Sequence, residues 1–220
     1  MATPRSLGRL HYFNQRGRAE IVRLVCAYGR VPLEEVEEPL GREFLARKPA
    51  FPCGQLPMME IQGKLYSQSV ALARYAARQV GLYPRGDDLA ALKVDMVMDA
   101  CADIHVPVLR ATFIERDPES RAKLAKALVK HTLPGILRGL HERVGGDSGE
   151  DGPFVLGQTL SVADIVLFDV LTNRLEPNRE ALPIDYASDF PKLVELARHV
   201  SLVPPIADYL RVRNTQKTTF

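Results

Sequence analysis

The chain has 220 residues, 46% of them hydrophobic and 25% charged, with a formal net charge of +2. Such a length suits one large domain or two small ones, and such a composition suits a folded chain rather than a disordered one. The near balance of charge speaks against an electrostatic nucleic-acid binder, and the lack of any run of about 18 apolar residues speaks against a membrane span.

The three cysteines, Cys26, Cys53 and Cys101, are too few and too far apart for a disulfide framework or a metal-ligand pattern. The histidines are scattered, so no metal is expected. Met1–Arg9 has no apolar core of signal-peptide type, and the expected compartment is the reducing cytoplasm.

In chain order, residues 7–12 read as a strand with Leu7, Leu10 and Tyr12 among its apolar positions. Beyond a polar corner, residues 18–29 read as an amphipathic helix with Ile21, Leu24, Val25 and Tyr28 on one face, and Gly29 stands where a terminating glycine is expected. Leu33–Glu37 alternates weakly, as an edge strand does. Residues 41–50 are polar and basic, a short helix or an irregular loop. Phe51–Pro57 carries two prolines and a glycine and reads as a loop. Met58–Ile61, the turn dipeptide Gln62-Gly63 and Lys64–Tyr66 make a hairpin. Ser69 is an N-cap candidate for a helix running to Val80.

This β-α-β-(α)-β-β-α order predicts a thioredoxin-like α/β domain over 1–82, with 83–86 as a linker. The remainder, 87–220, reads as all-helical. Helices are expected over 87–115, kinked at Pro107, and over 118–144, kinked or divided at Pro134. The Gly/Asp-rich stretch 145–152 reads as a flexible surface loop. Ser161 and Asp164 have capping-box spacing, with Leu160 and Ile165 at staple positions. The helix that follows is apolar nearly all round, as in the middle of a bundle, and its Asp169 reads as a buried, hydrogen-bonded carboxylate. Short helices over 191–200 and 204–212 precede a polar tail.

Several features of the first domain suit an anion. Tyr12 puts a hydroxyl at a strand end, just before a helix N-terminus, where free N–H groups and the helix dipole favour negative charge. It reads either as a donor to a bound anion or as an ordinary buried aromatic. Ser67-Gln68-Ser69 brings a hydroxyl, an amide and first-turn N–H groups to a second helix start, for a carboxylate or for capping alone. In Gln55-Leu56-Pro57, a cis proline would turn the Leu56 backbone outward to pair with an extended peptide. Arg16, Arg18 and Lys48 are cations for the site or for the surface. Phe13, Leu109 and Phe113 suit either packing or an apolar pocket.

Together these motifs resemble the cytosolic glutathione transferases over nearly the whole chain. Tyr12-Phe13-x-x-Arg16-Gly17-Arg18 is similar to the opening of the sigma, pi, alpha and mu classes. Gly54-Gln55-Leu56-Pro57, Gln68-Ser69, Gly81-Leu82-Tyr83, Val94-Asp95-Met96-Val97 with Asp103, and Ser161-Val162-Ala163-Asp164 resemble the pi class. Arg16–Ile21 is more sigma-like.

The resemblance implies a homodimer that binds extended glutathione on the first domain and takes no metal. Tyr12 would hydrogen-bond the glutathione sulfur, and Arg18 would support thiol ionisation. Lys48 would reach the glycyl carboxylate. Gln55 and Leu56 would hold the cysteinyl backbone beside cis Pro57. Gln68 and Ser69 would take the γ-glutamyl carboxylate, and Asp103 of the other subunit would take its amine. Phe13, Gln15, Leu109 and Phe113 would form the electrophile pocket. The chain has no tryptophan; Arg42 or Phe44 stands where the family commonly carries one at the glycyl end. Cys53 stands where the pi class has an aromatic dimer key, and Phe51 is a displaced alternative. The expected activity is conjugation of glutathione to small hydrophobic electrophiles, in detoxification. The alternatives are a sigma-like isomerase or peroxidase of prostaglandin D synthase type, and a non-catalytic relative such as the lens crystallins.

Overall fold

Four strands form a single sheet in a computed structural model that describes residues 6–145 and 152–215. They are β1 (Arg9–Tyr12), β2 (Glu34–Glu37), β3 (Met58–Ile61) and β4 (Lys64–Ser67), in the order β2-β1-β3-β4. β1 pairs in parallel with β2 across a connection carrying α1 (Glu20–Tyr28), as a parallel pair requires, and antiparallel with β3. The β3–β4 turn places Gln62 at φ 52° and Gly63 at φ 74°, the paired left-handed conformation of a tight hairpin. β2 and β4 are the edge strands of this sheet.

α2 (Arg42–Arg47) precedes the loop, and α3 (Ser69–Val80) follows β4 and packs against α1. The shared face is apolar: Leu24 and Val25 of α1, and Ala73, Ala76 and Ala77 of α3, are fully buried. The sequence puts Ser69 at the N-cap of α3. The cap is instead Gln68, one residue earlier, and Ser69 is the first helical residue.

The chain divides into two compact units, one of Met1–Tyr83 with Ser201–Phe220 and one of Pro84–Val200. The reading of 87–220 as one helical block therefore differs at its end. The last helix, α10 (Pro204–Thr215), packs on α1. The anchor is polar: the Tyr209 hydroxyl donates to Glu20 Oε1 at 3.0 Å, and Glu20 is only 2% exposed.

The second unit is built on α4 (Asp88–Leu109), α5 (Pro118–Ala127), α6 (Leu133–Arg143), α7 (Val162–Asp169), the short α8 (Tyr186–Asp189) and α9 (Pro191–Leu202). Val94, Val97, Met98, Cys101, Ile104 and Val108 recur at helical spacing and form the buried stripe of α4, which packs on α7. Every residue of α7 is buried. Its start has the expected capping box: Asp164 Oδ2 accepts from the Ser161 N–H at 2.7 Å and the Ser161 hydroxyl at 2.8 Å. Asp169 is buried and accepts from Asn173 at 2.8 Å.

Among the described residues three turns widen to π-helix: Arg110–Ile114, Leu128–Thr132 and Val170–Leu175. The second divides the helix expected over 118–144. Pro134 lacks the N–H that the Lys130 carbonyl would accept, and the Leu133 N–H reaches back to Leu128 instead. Pro107 lies inside α4 without ending it. Of the loop expected at 145–152, residues 146–151 lie outside the described residues, as do 216–220 of the tail.

Candidate functional site

The pairing register gathers the segments singled out in the first unit at one end of the sheet. His11 stands opposite Met58, and Met58 opposite Ser67. One step along these ladders come Tyr12, Pro57 and Gln68. Three stretches separated by tens of residues thus end side by side, because a tyrosine closes β1, a proline precedes β3 and a helix starts as β4 stops.

Tyr12 is buried, 9% exposed, and its hydroxyl oxygen accepts the Arg18 backbone N–H at 2.9 Å. The oxygen is thereby satisfied and polarised, while its own proton is left to donate elsewhere. Arg18 lies in the 3₁₀ turn Gly17–Ala19, half-buried. Among the described residues its guanidinium has no carboxylate partner. Gly17, at φ 45°, is required here: a Cβ would run into the Tyr12 hydroxyl and ring.

The turn is held by Arg23, which the sequence reading missed. Arg23 is 4% exposed. Its Nη1 donates to the Gln15 carbonyl at 2.9 Å and the Arg16 carbonyl at 3.1 Å, and its Nε and Nη2 donate to Glu35 Oε2 at 2.8 and 2.6 Å. Its guanidinium carbon also lies 5.9 Å from the Tyr12 ring centroid. The one available signal was a charge amid the apolar run Ile21–Cys26.

Phe13 and Phe44 continue an aromatic chain. The Phe13 ring is 5.3 Å from Tyr12 and 5.0 Å, edge-on, from Phe44, which stacks on Phe51 at 5.9 Å. Below them Glu38, 1% exposed, pairs with His11 Nδ1 at 2.8 Å and Arg47 Nη1 at 2.6 Å. This anchors α2, and with it Phe44 and the neighbouring exposed Lys48; Glu38 and Arg47 were not anticipated. Lys48 extends past Gly54, its Cε 3.5 Å from where a Cβ there would sit.

The Leu56–Pro57 peptide is cis, as the sequence reading expects. Leu56 and Pro57 are buried and Gln55 is exposed. Gln68 adopts φ 75° and ψ 103°, a conformation rare outside glycine, and its side chain caps nothing. The first-turn N–H groups of α3 therefore remain for an external anion.

The remaining predicted residues belong to the second unit. Asp103 is on the exposed side of α4, in helical register with the exposed Leu92 and Met96. Leu109 ends α4 half-buried, and Phe113, in the π turn, is 71% exposed. The buried thiols of Cys26 and Cys101 are pushed up by desolvation, Cys26 to about 12, which removes them as nucleophiles. Among the described residues no group of three His, Cys, Asp or Glu side chains is placed to hold a metal, and no helix is long and apolar enough to cross a membrane.

Family comparison agrees with this layout. The model of the glutathione S-transferase N-terminal domain matches residues 8–78, and that of the glutathione S-transferase C-terminal domain matches residues 102–213. The chain belongs to the glutathione S-transferase family. It is 30% identical to S-crystallin SL11 of Nototodarus sloanii, over 93% of this chain and 96% of that protein. It is 29% identical to hematopoietic prostaglandin D synthase of Gallus gallus, again over 93% and 96%. Among solved structures it is similar to rat hPGDS complexed with a quinoline, with TM-score 0.79 and 27% identity over 96% of this chain and 98% of that one.

Proposed function

We propose that this protein is a glutathione transferase that stabilises the glutathione thiolate and conjugates it to small hydrophobic electrophiles. The observation that carries this reading is the Tyr12 hydroxyl, which takes the Arg18 N–H on its oxygen and keeps its proton for a ligand. A free thiol titrates near 8.5, so only a few per cent is thiolate at neutral pH. A donor aimed at sulfur favours the charged form, and each pKa unit of lowering corresponds to about 1.4 kcal/mol. Tyr12 shares its proton in that hydrogen bond without giving it up.

The other assignments follow the ends of the sheet. The Leu56 backbone pairs with the cysteinyl residue, assisted by Gln55 and cis Pro57. Gln68, Ser69 and the free N–H groups of α3 take the γ-glutamyl carboxylate. Lys48 reaches the glycyl carboxylate, with Phe44 beside it. Arg18 supplies positive charge near the thiolate. Phe13, Gln15, Leu109 and Phe113 hold the electrophile, so rate comes from proximity as well as from thiolate. The protein acts in the cytoplasm as a homodimer, and Asp103 of the other subunit meets the γ-glutamyl amine. Exposed Leu89, Leu92 and Met96 on α4, and exposed Leu65, Tyr66 and Tyr75 on β4 and α3, support a covered surface.

The likeness to a prostaglandin D synthase favours a second reading, glutathione-dependent isomerisation or peroxide reduction. Side-by-side assays with an aryl halide, an organic hydroperoxide and a prostaglandin endoperoxide separate the two. Turnover with the aryl halide that falls sharply in Tyr12→Phe is the expected outcome. Glutathione binding without turnover of any electrophile would leave a non-catalytic, crystallin-like protein.

A further inference from the structure

The stretch 41–50, which carries Lys48, is almost wholly exposed. Within it only Phe44 is half-buried, and Leu45 is 61% exposed. α2 buries none of its residues, and no side chain caps its N-terminus. A helix of six residues is too short to persist by itself in water. Its place therefore depends on the few side chains that reach the rest of the unit.

Two of them do so from one face. Phe44 and Arg47 are three residues apart and so are neighbours on the helix surface. Phe44 enters the aromatic chain between Phe13 and Phe51. Arg47 Nη1 pairs with Glu38 Oε2 at 2.6 Å, and its guanidinium carbon lies 5.8 Å from the Phe51 ring centroid.

Glu38 is the fixed end of this link. Its side chain is 0% exposed, and its other carboxylate oxygen meets His11 Nδ1 at 2.8 Å. Its backbone N–H donates to the Tyr12 carbonyl at 2.9 Å. His11 and Tyr12 are the last two residues of β1, so Glu38 is tied to the strand end that carries the tyrosine. A carboxylate so far from water is costly unless its charge is matched, and buried ion pairs are poor sources of net stability. What this one supplies is a defined placement of α2 against β1. Lys48 directly follows Arg47, is exposed, and has no carboxylate partner among the described residues.

We propose that His11, Glu38 and Arg47 form a bracket that fixes Lys48 for the glycyl carboxylate, and that this bracket sets the selectivity for glutathione with that carboxylate free. The three are positioning residues and do not touch the ligand. The inference rests on the glycyl-end reading given above. Arg47 acts twice: without it α2 loses its polar anchor, and the buried Glu38 charge is left with His11 alone.

Isothermal titration calorimetry with glutathione and with its glycyl ethyl ester tests this, and it needs no turnover. The ester keeps the tripeptide and removes the carboxylate charge. The wild type should favour glutathione over the ester by about tenfold, as a charged hydrogen bond does. Arg47→Gln and Glu38→Gln should each weaken glutathione toward the affinity of the ester and leave the ester unchanged. Arg47→Lys keeps the charge without the planar fork and should restore part of the preference. The Arg47 side chain is 52% exposed, so Arg47→Gln keeps the test decisive even if Glu38→Gln fails to fold. Lys48→Ala is the control for the glycyl-end reading. A preference lost in Lys48→Ala but kept in both bracket variants overturns the bracket alone. Equal weakening of both ligands by the bracket variants also overturns it, since that is a general loss of the site. A preference absent from the wild type, or kept in Lys48→Ala, overturns the glycyl-end reading and the bracket with it.

Discussion

At the scale of single residues, the proposed site rests on one hydroxyl and the turn that fixes it. Tyr12 was legible in the sequence because a strand aromatic followed by Arg16-Gly17-Arg18 is a local pattern. Arg23 was not, because its partners are carbonyls of the preceding turn and a carboxylate on the next strand, and a helical arginine ordinarily reads as solvated. Gly17 carries the sharpest prediction. Gly17→Ala imposes a left-handed alanine and forces the Tyr12 ring aside. It should cost about 1–3 kcal/mol of stability and lower turnover more than glutathione affinity. Denaturant unfolding and a KM-against-kcat comparison check this, and unchanged kcat would mean that the Tyr12 position does not matter.

At the scale of elements, the clearest sequence signals were local and proved accurate. The Gln62-Gly63 hairpin and the Ser161–Asp164 capping box each arise from residues within a few positions of one another. The start of α3 was displaced by one residue, because the left-handed backbone of Gln68 is not encoded in its residue type. The π turns were equally hidden, apart from the hint of Pro134. Asp164 offers a test of the buried box. Desolvation raises its carboxyl from 3.8 to about 6, against hydrogen bonds from the Val155 N–H and from Ser161. A raised carboxyl favours the folded state as pH falls: its contribution is lost as pH rises through 6 and complete below 3.8. Relative to Asp164→Asn, the wild-type protein should therefore gain up to about 3 kcal/mol between pH 7 and pH 4. Chemical denaturation of both across that range measures it, and a constant gap would contradict the burial argument.

At the scale of the whole molecule, the two-unit plan was legible because strands alternate with helices up to the linker at 83–86 and only helices are read after it. The return of α10 to the first unit was not, since the Tyr209–Glu20 bond joins positions far apart in sequence. Quaternary structure carries its own prediction. Leu92→Arg with Met96→Arg places charge on the exposed apolar face of α4 that also bears Asp103. The pair should yield a monomer by analytical ultracentrifugation, with weaker glutathione binding because Asp103 of the other subunit is lost. A monomer with full affinity would refute that contribution.

The central claim, that Tyr12 donates its hydroxyl proton to a bound thiolate, is tested most directly by ultraviolet titration of the enzyme-bound glutathione thiolate in the wild-type protein and in Tyr12→Phe. The predicted result is a thiol pKa well below the free value of about 8.5 in the wild type, raised toward that value in Tyr12→Phe with glutathione affinity nearly intact. Coincident titrations in the two proteins would contradict it.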